Sequence, residues 1–378
     1  MWSVPPLEDL EAALRDPCAP IGKRMRSAYY AKQLFLDKQK NVSETDADKD
    51  KRNDCDEDIT GRIVDVLCEQ VFVKEHGSLL RHEFAYVLGQ MQTPQACRTL
   101  EELLAKDDDC VMVRHEAAEA LGAIASPSSR QVLEEVRDKY KGTLDELSDT
   151  CLLALNRLTE SPNGGSVVVG CACMLAPFNS IDPVPADPAH ASLATVELGD
   201  ILLDKGGTCN LVERYRAMFS LRNRGGEEAV LQLCRALVED SSSPLLRHEV
   251  AFVLGQLQHP SSIAALEESL SRLDEHTMVR HESAEALGAI EGSSDDWMRI
   301  EQILTKYKQD QDQAVAESCI VALDAADYYW GHTSEEDPVD DEDANTHHPT
   351  SSSSFGQQKH ASEIRKQLLN EHFNVKSQ

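Results

Sequence analysis

Four Arg-His-Glu triplets are the residues in this chain best suited to do chemistry: Arg81-His82-Glu83, Arg114-His115-Glu116, Arg247-His248-Glu249 and Arg280-His281-Glu282. A single histidine beside a glutamate is common by chance and is more often a surface or core pair than a ligand. Four copies at one phase of a repeat are a different observation. Neutral imidazoles and carboxylates are the donors that suit non-haem iron(II), with positions left open for oxygen or water, and zinc accepts them too. The four glutamates carry four negative charges, which two divalent cations balance. The motif is not His-Glu-x-x-His, because Tyr86, Glu119, Phe252 and Glu285 stand where the second histidine would be. It also differs from the Glu-x-x-His set of di-iron bundles. Adjacent helical residues project about 100° apart, so one member of each pair can bind metal while the other faces a substrate. The arginines are expected to form ion pairs that steady the glutamates.

The elements that position these residues come from a duplication. Leu79 to Gln92 reads LLRHEFAYVLGQMQ and Leu245 to Gln258 reads LLRHEVAFVLGQLQ. Met112 to Ile124 and Met278 to Ile290 differ at one position, and both pairs are offset by 166 residues. Arg24-Met-Arg-Ser-Ala-Tyr-Tyr resembles Arg214-Tyr-Arg-Ala-Met-Phe-Ser at an offset of 190, so the first half carries an insertion of 24 residues. Within each half the histidines recur after 33 residues, the length of one helical hairpin in an α-solenoid. Apolar residues after each triplet keep helical spacing, as at Phe84, Val87, Leu88 and Met91. Gly89, Gly122, Gly255 and Gly288 each follow a triplet histidine by seven residues, which suits close approach of two helices.

The pattern predicts an all-α, HEAT-like α-solenoid of about eight helical hairpins in two pseudo-symmetric halves. Residues 1–159 form the first half, with an acidic, disordered insertion near 41–58. Residues 160–194 are a flexible, proline-rich linker. Residues 195–330 form the second half, and 331–378 an acidic, serine-rich tail in which 357–373 has the pattern of one amphipathic helix. With such a linker, the metals are expected to be the main tie between the halves. A repeat also keeps its consensus for packing alone. Yet the helices starting near Ser128 and Asp295 lack the His-Glu pair, and this selective placement favours a site.

Composition narrows the partners. The net charge is −29 and the chain is 27% charged. The acidic stretches at 41–58 and 335–343 hold −12 of it, so the folded part is acidic as well. Such a surface repels nucleic acid and anionic membrane and attracts cationic partners. The eleven cysteines include no Cys-x-x-Cys, which fits reduced thiols in the cytoplasm. The N-terminus lacks the pattern of a signal peptide, and the longest apolar run, Val167 to Phe178, is too short to span a bilayer. Cys171 and Cys173 are a weaker ligand candidate, and His347 and His348, in the tail, are not expected to be ligands. No Walker loop, Rossmann fingerprint or nucleophile elbow occurs.

On the four triplets, the run PFNSIDPVP (Pro177 to Pro185), ERYRAMFSLRNRGGEEA (Glu213 to Ala229) and ESCIVALD (Glu317 to Asp324), the chain resembles the deoxyhypusine hydroxylases. These are HEAT-repeat di-iron monooxygenases. The resemblance spans most of 22–158 and 177–328. It implies that His82, Glu83, His115, Glu116, His248, Glu249, His281 and Glu282 occupy the positions of the metal centre, with two Fe2+ ions and O2 as co-substrate. It implies hydroxylation of deoxyhypusine to hypusine on translation factor 5A, a basic protein substrate, by a monomer. Glu116 and Glu282 are expected on metal, and Glu83 and Glu249 toward the substrate's amines. Two other readings stand beside this one: a non-enzymatic HEAT-repeat scaffold with structural metals, and a repeat lyase acting on tetrapyrrole-bearing proteins.

Overall fold

The computed structural model of the chain describes residues 5–44, 54–160 and 181–330. Among the described residues there are sixteen α-helices and no strand. The helices pair into hairpins, each with an outer and an inner member. The outer helices are α1 (Leu7–Arg15), α3 (Asp54–Gln70), α5 (Pro94–Ala105), α7 (Arg130–Tyr140), α9 (Thr195–Leu203), α11 (Gly226–Glu239), α13 (Ile263–Ser271) and α15 (Ser294–Tyr307). The inner helices are α2 (Ile21–Glu44), α4 (Gly77–Met91), α6 (Val111–Ile124), α8 (Asp145–Glu160), α10 (Leu211–Arg224), α12 (Pro244–Leu257), α14 (Thr277–Ala289) and α16 (Gln313–Trp330). This is the all-α solenoid that the repeat predicts.

Outer helices keep one face in water and are written accordingly. In α5, Thr93 Oγ1 accepts the Ala96 amide at 3.1 Å and Pro94 fills the first position, where no amide donor is needed. Ala96, Cys97, Leu100, Leu103 and Leu104 then form its buried stripe. Inner helices are covered on more than one side, and α4 buries eleven of its fifteen residues. Glycine sets how closely they stack. A Cβ on Gly89 would lie 2.6 Å from the Ala120 Cβ, and one on Gly288 2.7 Å from the Ala322 Cβ.

The triplet arginines do not pair with the triplet glutamates as expected. Arg81 donates to the Val71 carbonyl at 2.7 Å and forks onto Asp109 at 2.8 and 2.6 Å. Arg280 does the same with the Leu270 carbonyl at 3.0 Å and Asp310 at 3.1 and 2.6 Å. Arg114 reaches the Leu104 carbonyl at 3.0 Å, and Arg247 grips Glu275 at 2.8 and 2.7 Å. One residue ahead of the histidine on a helix, each arginine points to a different side. It fastens neighbouring loops and leaves the glutamate to face the interior.

The halves meet directly at two seams. Helix α16 packs on α2 and α4, α8 packs on α12, and Arg26 pairs with Asp324 across the first seam. In its described part, 181–194, the linker is not a free tether. The Asp182 carbonyl accepts from Arg157 at 2.7 Å, its carboxylate takes Arg222 at 2.7 and 2.6 Å, and Val184 is fully buried. The halves therefore have direct contacts of their own besides any metal they share. The arginines responsible lie far away in sequence, which is why proline content alone misleads. Helix α2 runs on to Glu44 and α3 begins at Asp54, both inside the stretch read as disordered. Residues 45–53, 161–180 and 331–378 lie outside the described residues, and with them Cys171, Cys173, His347, His348 and the amphipathic stretch of the tail.

Candidate metal centre

The four triplet histidines converge from four inner helices of the two halves. Ring centroids are 6.1 Å apart for His82 and His115 and 5.6 Å for His248 and His281, within the halves. Across the halves, His115 and His248 are 5.1 Å apart and His82 and His281 5.3 Å. None of the four is more than 5% exposed. The stacking that the glycines permit brings neighbouring repeats together, and the two seams bring the halves face to face.

The glutamates follow the pseudo-two-fold relation. Glu116 Oε2 lies 3.2 Å from His82 Nε2, and Glu282 Oε2 lies 3.5 Å from His248 Nε2. Each links a triplet to the next repeat of its own half. Glu83 Oε1 is 3.1 Å from His82 Nδ1, and its Oε2 accepts the Tyr29 hydroxyl. Glu249 instead lines a pocket between α4, α6, α12 and the linker, with Glu116, Glu119, Asp182, Tyr86 and Phe252.

Several buried nitrogens have no hydrogen-bond partner. His115 Nδ1 bonds the Thr150 hydroxyl at 2.9 Å, which leaves its Nε2 without one; His248 Nδ1 and His281 Nε2 share that state. Buried polar atoms are nearly always satisfied, so nitrogens clustered in one place without a protein partner suit a bound ion or water. Three groups have donor atoms within 4.8 Å of one another: His82, His115 and His248; His248, His281 and Glu282; and His115, Glu116 and Glu119.

The electrostatics agree. Burial, then repulsion from Asp182, Glu282 and Glu116, pushes Glu249 up to about 8. Burial, then Glu249 and Glu116, holds Glu119 well above the carboxylate range. Burial and the neighbouring imidazoles push His115 well below its usual value, and burial with His82 takes His248 to about 3. His82 goes the other way: burial disfavours its charge, but Glu116 and Glu83 outweigh it. Carboxylates crowd here with too few cations, and the imidazoles are held mostly neutral. That is the state in which this donor set takes divalent metal, and a bound cation would relieve the repulsion. The residues present fit a metal site.

Sequence reasoning did not assign roles to Glu119, Glu285, Thr150, Tyr29 or Asp182. Glu285 accepts the Ser318 hydroxyl at 2.8 Å and stands 3.7 Å from His281 Nδ1. A glutamate four residues after the second histidine of each half was a visible signal for Glu119 and Glu285. Tyr29 and Asp182 belong to no repeated motif.

Comparison with known proteins accords with this geometry. The HEAT repeats family matches residues 64–144, 202–288 and 232–324. The class is thus a HEAT-repeat solenoid, here with a histidine–glutamate cluster buried between its halves. Deoxyhypusine hydroxylase of Drosophila pseudoobscura pseudoobscura is 46% identical over 255 residues, covering 67% of this chain and 78% of that protein. The Danio rerio enzyme of the same name is 46% identical over 260 residues, covering 68% and 79%. The solved structure of human deoxyhypusine hydroxylase in complex with glycerol matches with a TM-score of 0.68 at 34% identity, over 84% of this chain and 94% of that one. The chain belongs to the deoxyhypusine hydroxylase family.

Proposed function

We propose that the chain is a deoxyhypusine monooxygenase that uses two Fe2+ ions and O2 to convert deoxyhypusine to hypusine on translation factor 5A, in the cytoplasm. The observation that carries this is the meeting of four buried imidazoles, with orphaned nitrogens, between halves of a chain in this family. His82, His115, Glu116, His248, His281 and Glu282 would hold the ions, and Glu83 and Glu249 would face the substrate's amines. Bound iron supplies the redox chemistry that hydroxylation of an unactivated C–H bond needs and that no side chain provides. One atom of O2 ends in the new hydroxyl and the other in water, consuming two electrons and two protons.

The chain's own residues bind and orient. Once bound cations relieve the crowding that keeps them protonated, Glu249 and Glu119 would give the pocket a negative lining that attracts an ammonium, and Tyr86 and Phe252 offer apolar walls to a methylene chain. Asp182 is committed to Arg222, so the linker segment 181–183 borders the pocket as a fixed wall. Arg81 and Arg280 lock successive repeats and so set the histidines' spacing.

The test is iron content together with an oxygen-dependent assay on the basic protein substrate. Alanine at His115 or His248 is expected to lower bound iron and abolish hydroxylation while far-UV circular dichroism stays helical. Full iron retention in both variants would refute the site. Iron without any oxygen-dependent product would favour the scaffold with structural metals.

A further inference from the structure

In each half an inner helix, α8 or α16, packs against the helix that carries the second triplet, α6 or α14. These two helices share a register. Thr150-Cys151 and Ser318-Cys319, then Ala154 and Ala322, recur at an offset of 168 residues. The packing keeps that register, since a Cβ on Gly122 would meet Ala154 and one on Gly288 would meet Ala322. Thr150 and Ser318 are therefore equivalent positions. Both are buried, and neither belongs to a triplet.

Each hydroxyl stands behind the second histidine of its half. Thr150 Oγ1 donates to the Glu146 carbonyl at 2.8 Å. Such a bond is common for a threonine inside a helix, but it uses the only proton the hydroxyl has. Toward His115 Nδ1, 2.9 Å away, Oγ1 can then only accept. The ring proton is thereby placed on Nδ1 and the lone pair on Nε2, the nitrogen without a protein partner. The opposite tautomer would bury an Nε2–H donor with no acceptor in reach, which costs the desolvation of that group.

The second half fills the same place with a longer relay. Ser318 donates to Glu285 Oε1 at 2.8 Å, and that oxygen stands 3.7 Å from His281 Nδ1. Glu119, at the same phase of the first half, lines the pocket with Glu249 instead. We infer that Thr150 and Ser318 are positioning residues that hold the second histidine of each half with its proton on Nδ1 and its Nε2 lone pair free for metal, Thr150 directly and Ser318 through Glu285. The inference rests on the proposed metal centre. Partners behind a ligating imidazole fix its tautomer and its orientation, and losing one costs about tenfold to a hundredfold in metal affinity.

Tautomers are read by long-range proton–nitrogen NMR on the full chain, labelled with nitrogen-15 histidine and stripped of metal by a chelator. The pH is about 8, where an ordinary imidazole is neutral. The two rings are assigned by their loss in His115→Gln and His281→Gln. Wild type is expected to carry both protons on Nδ1. Thr150→Val removes the hydroxyl at nearly constant shape and should turn His115 into a mixture of tautomers, and Thr150→Ser should keep Nδ1–H. Anaerobic titration with Fe2+ should show affinity about tenfold to a hundredfold lower in Thr150→Val and in Ser318→Ala, and close to wild type in Thr150→Ser and Ser318→Thr. A wild-type His115 protonated on Nε2 would overturn the inference, and that result needs no variant to fold. A folded Thr150→Val protein with wild-type Fe2+ affinity would overturn it as well. Equal losses in Thr150→Val and Thr150→Ser would mean that the site needs the shape of threonine and not its oxygen, which also sinks it. A wild type that binds no Fe2+ would instead defeat the metal-centre reading, and this inference with it.

Discussion

Gly89→Ala is expected to damage the metal centre far more than the fold. The new methyl carbon would sit 2.6 Å from the Ala120 Cβ and 3.0 Å from its Cα. Ordinary carbon contacts are about 3.5–4.0 Å, so α4 and α6 must part by about 1 Å. Overpacking of this kind costs about 1–3 kcal/mol, and replacing glycine by alanine in a helix returns about 1 kcal/mol. The net loss of stability is thus about 1 kcal/mol. The site has less tolerance, because α4 carries His82 and α6 carries Glu116, now 3.2 Å apart. A misplacement of about 1 Å at a reacting centre costs on the order of a hundredfold. Iron affinity and hydroxylation are therefore expected to fall about tenfold to a hundredfold while the urea midpoint moves little. Moving the methyl across the contact tests the cause: Gly89→Ala with Ala120→Gly should recover most of the affinity, through a coupling of about 0.5–3 kcal/mol. A Gly89→Ala protein with unchanged iron affinity, or a double variant no better than the single, would refute the reasoning.

Arg81→Ala strands Asp109 in a buried position and is expected to cost about 3–5 kcal/mol in urea unfolding; Arg81→Met with Asp109→Leu should regain much of it, and an Arg81→Ala loss below about 1 kcal/mol would show the fastener to be idle. His76 accepts Arg24 at Nδ1 (3.2 Å) and contacts Gln70 Oε1 through Nε2 at 3.0 Å, an arrangement that needs the neutral ring. Burial, helped by Arg24, lowers it to about 4. The unfolded state takes up its proton first, so the contribution of His76 is complete above pH 6.5 and is lost as the pH falls from there through 4, by at most about 3 kcal/mol. His76→Gln should flatten that part of the stability profile, and an unchanged slope would rule His76 out as its source.

The helices and the four histidines were legible because a duplicated chain states its pattern more than once. Phe84, Val87, Leu88 and Met91 carry the helical period, and His82 and His248 share one phase. What the repeat does not state was hidden. Tyr29 sits where the two copies differ, and Asp182 belongs to neither copy. The arginines misled for another reason. Adjacency in sequence suggested that Arg81 serves Glu83, whereas the turn of a helix sends it to Asp109, 28 residues on. The described part of the linker, 181–194, reads in sequence as a tether because the partners of Asp182, the Arg157 guanidinium at its carbonyl and the Arg222 guanidinium at its carboxylate, lie in no local window.

The seam between α2 and α16 gives the protein a beginning that depends on its end. Arg26 and Asp324 are 298 residues apart, so their contact is among the last that a growing chain can make. An open repeat array can stack each hairpin as it leaves the ribosome and needs nothing from later repeats. Here the first half can stack early, but α2 and α4 lack their cover until α16 has been synthesised. His82 and His115 likewise wait for His248 and His281. A ribosome that stops before α12 releases a chain with half of the donor set, so the fold withholds the complete histidine–glutamate cluster from an unfinished polypeptide.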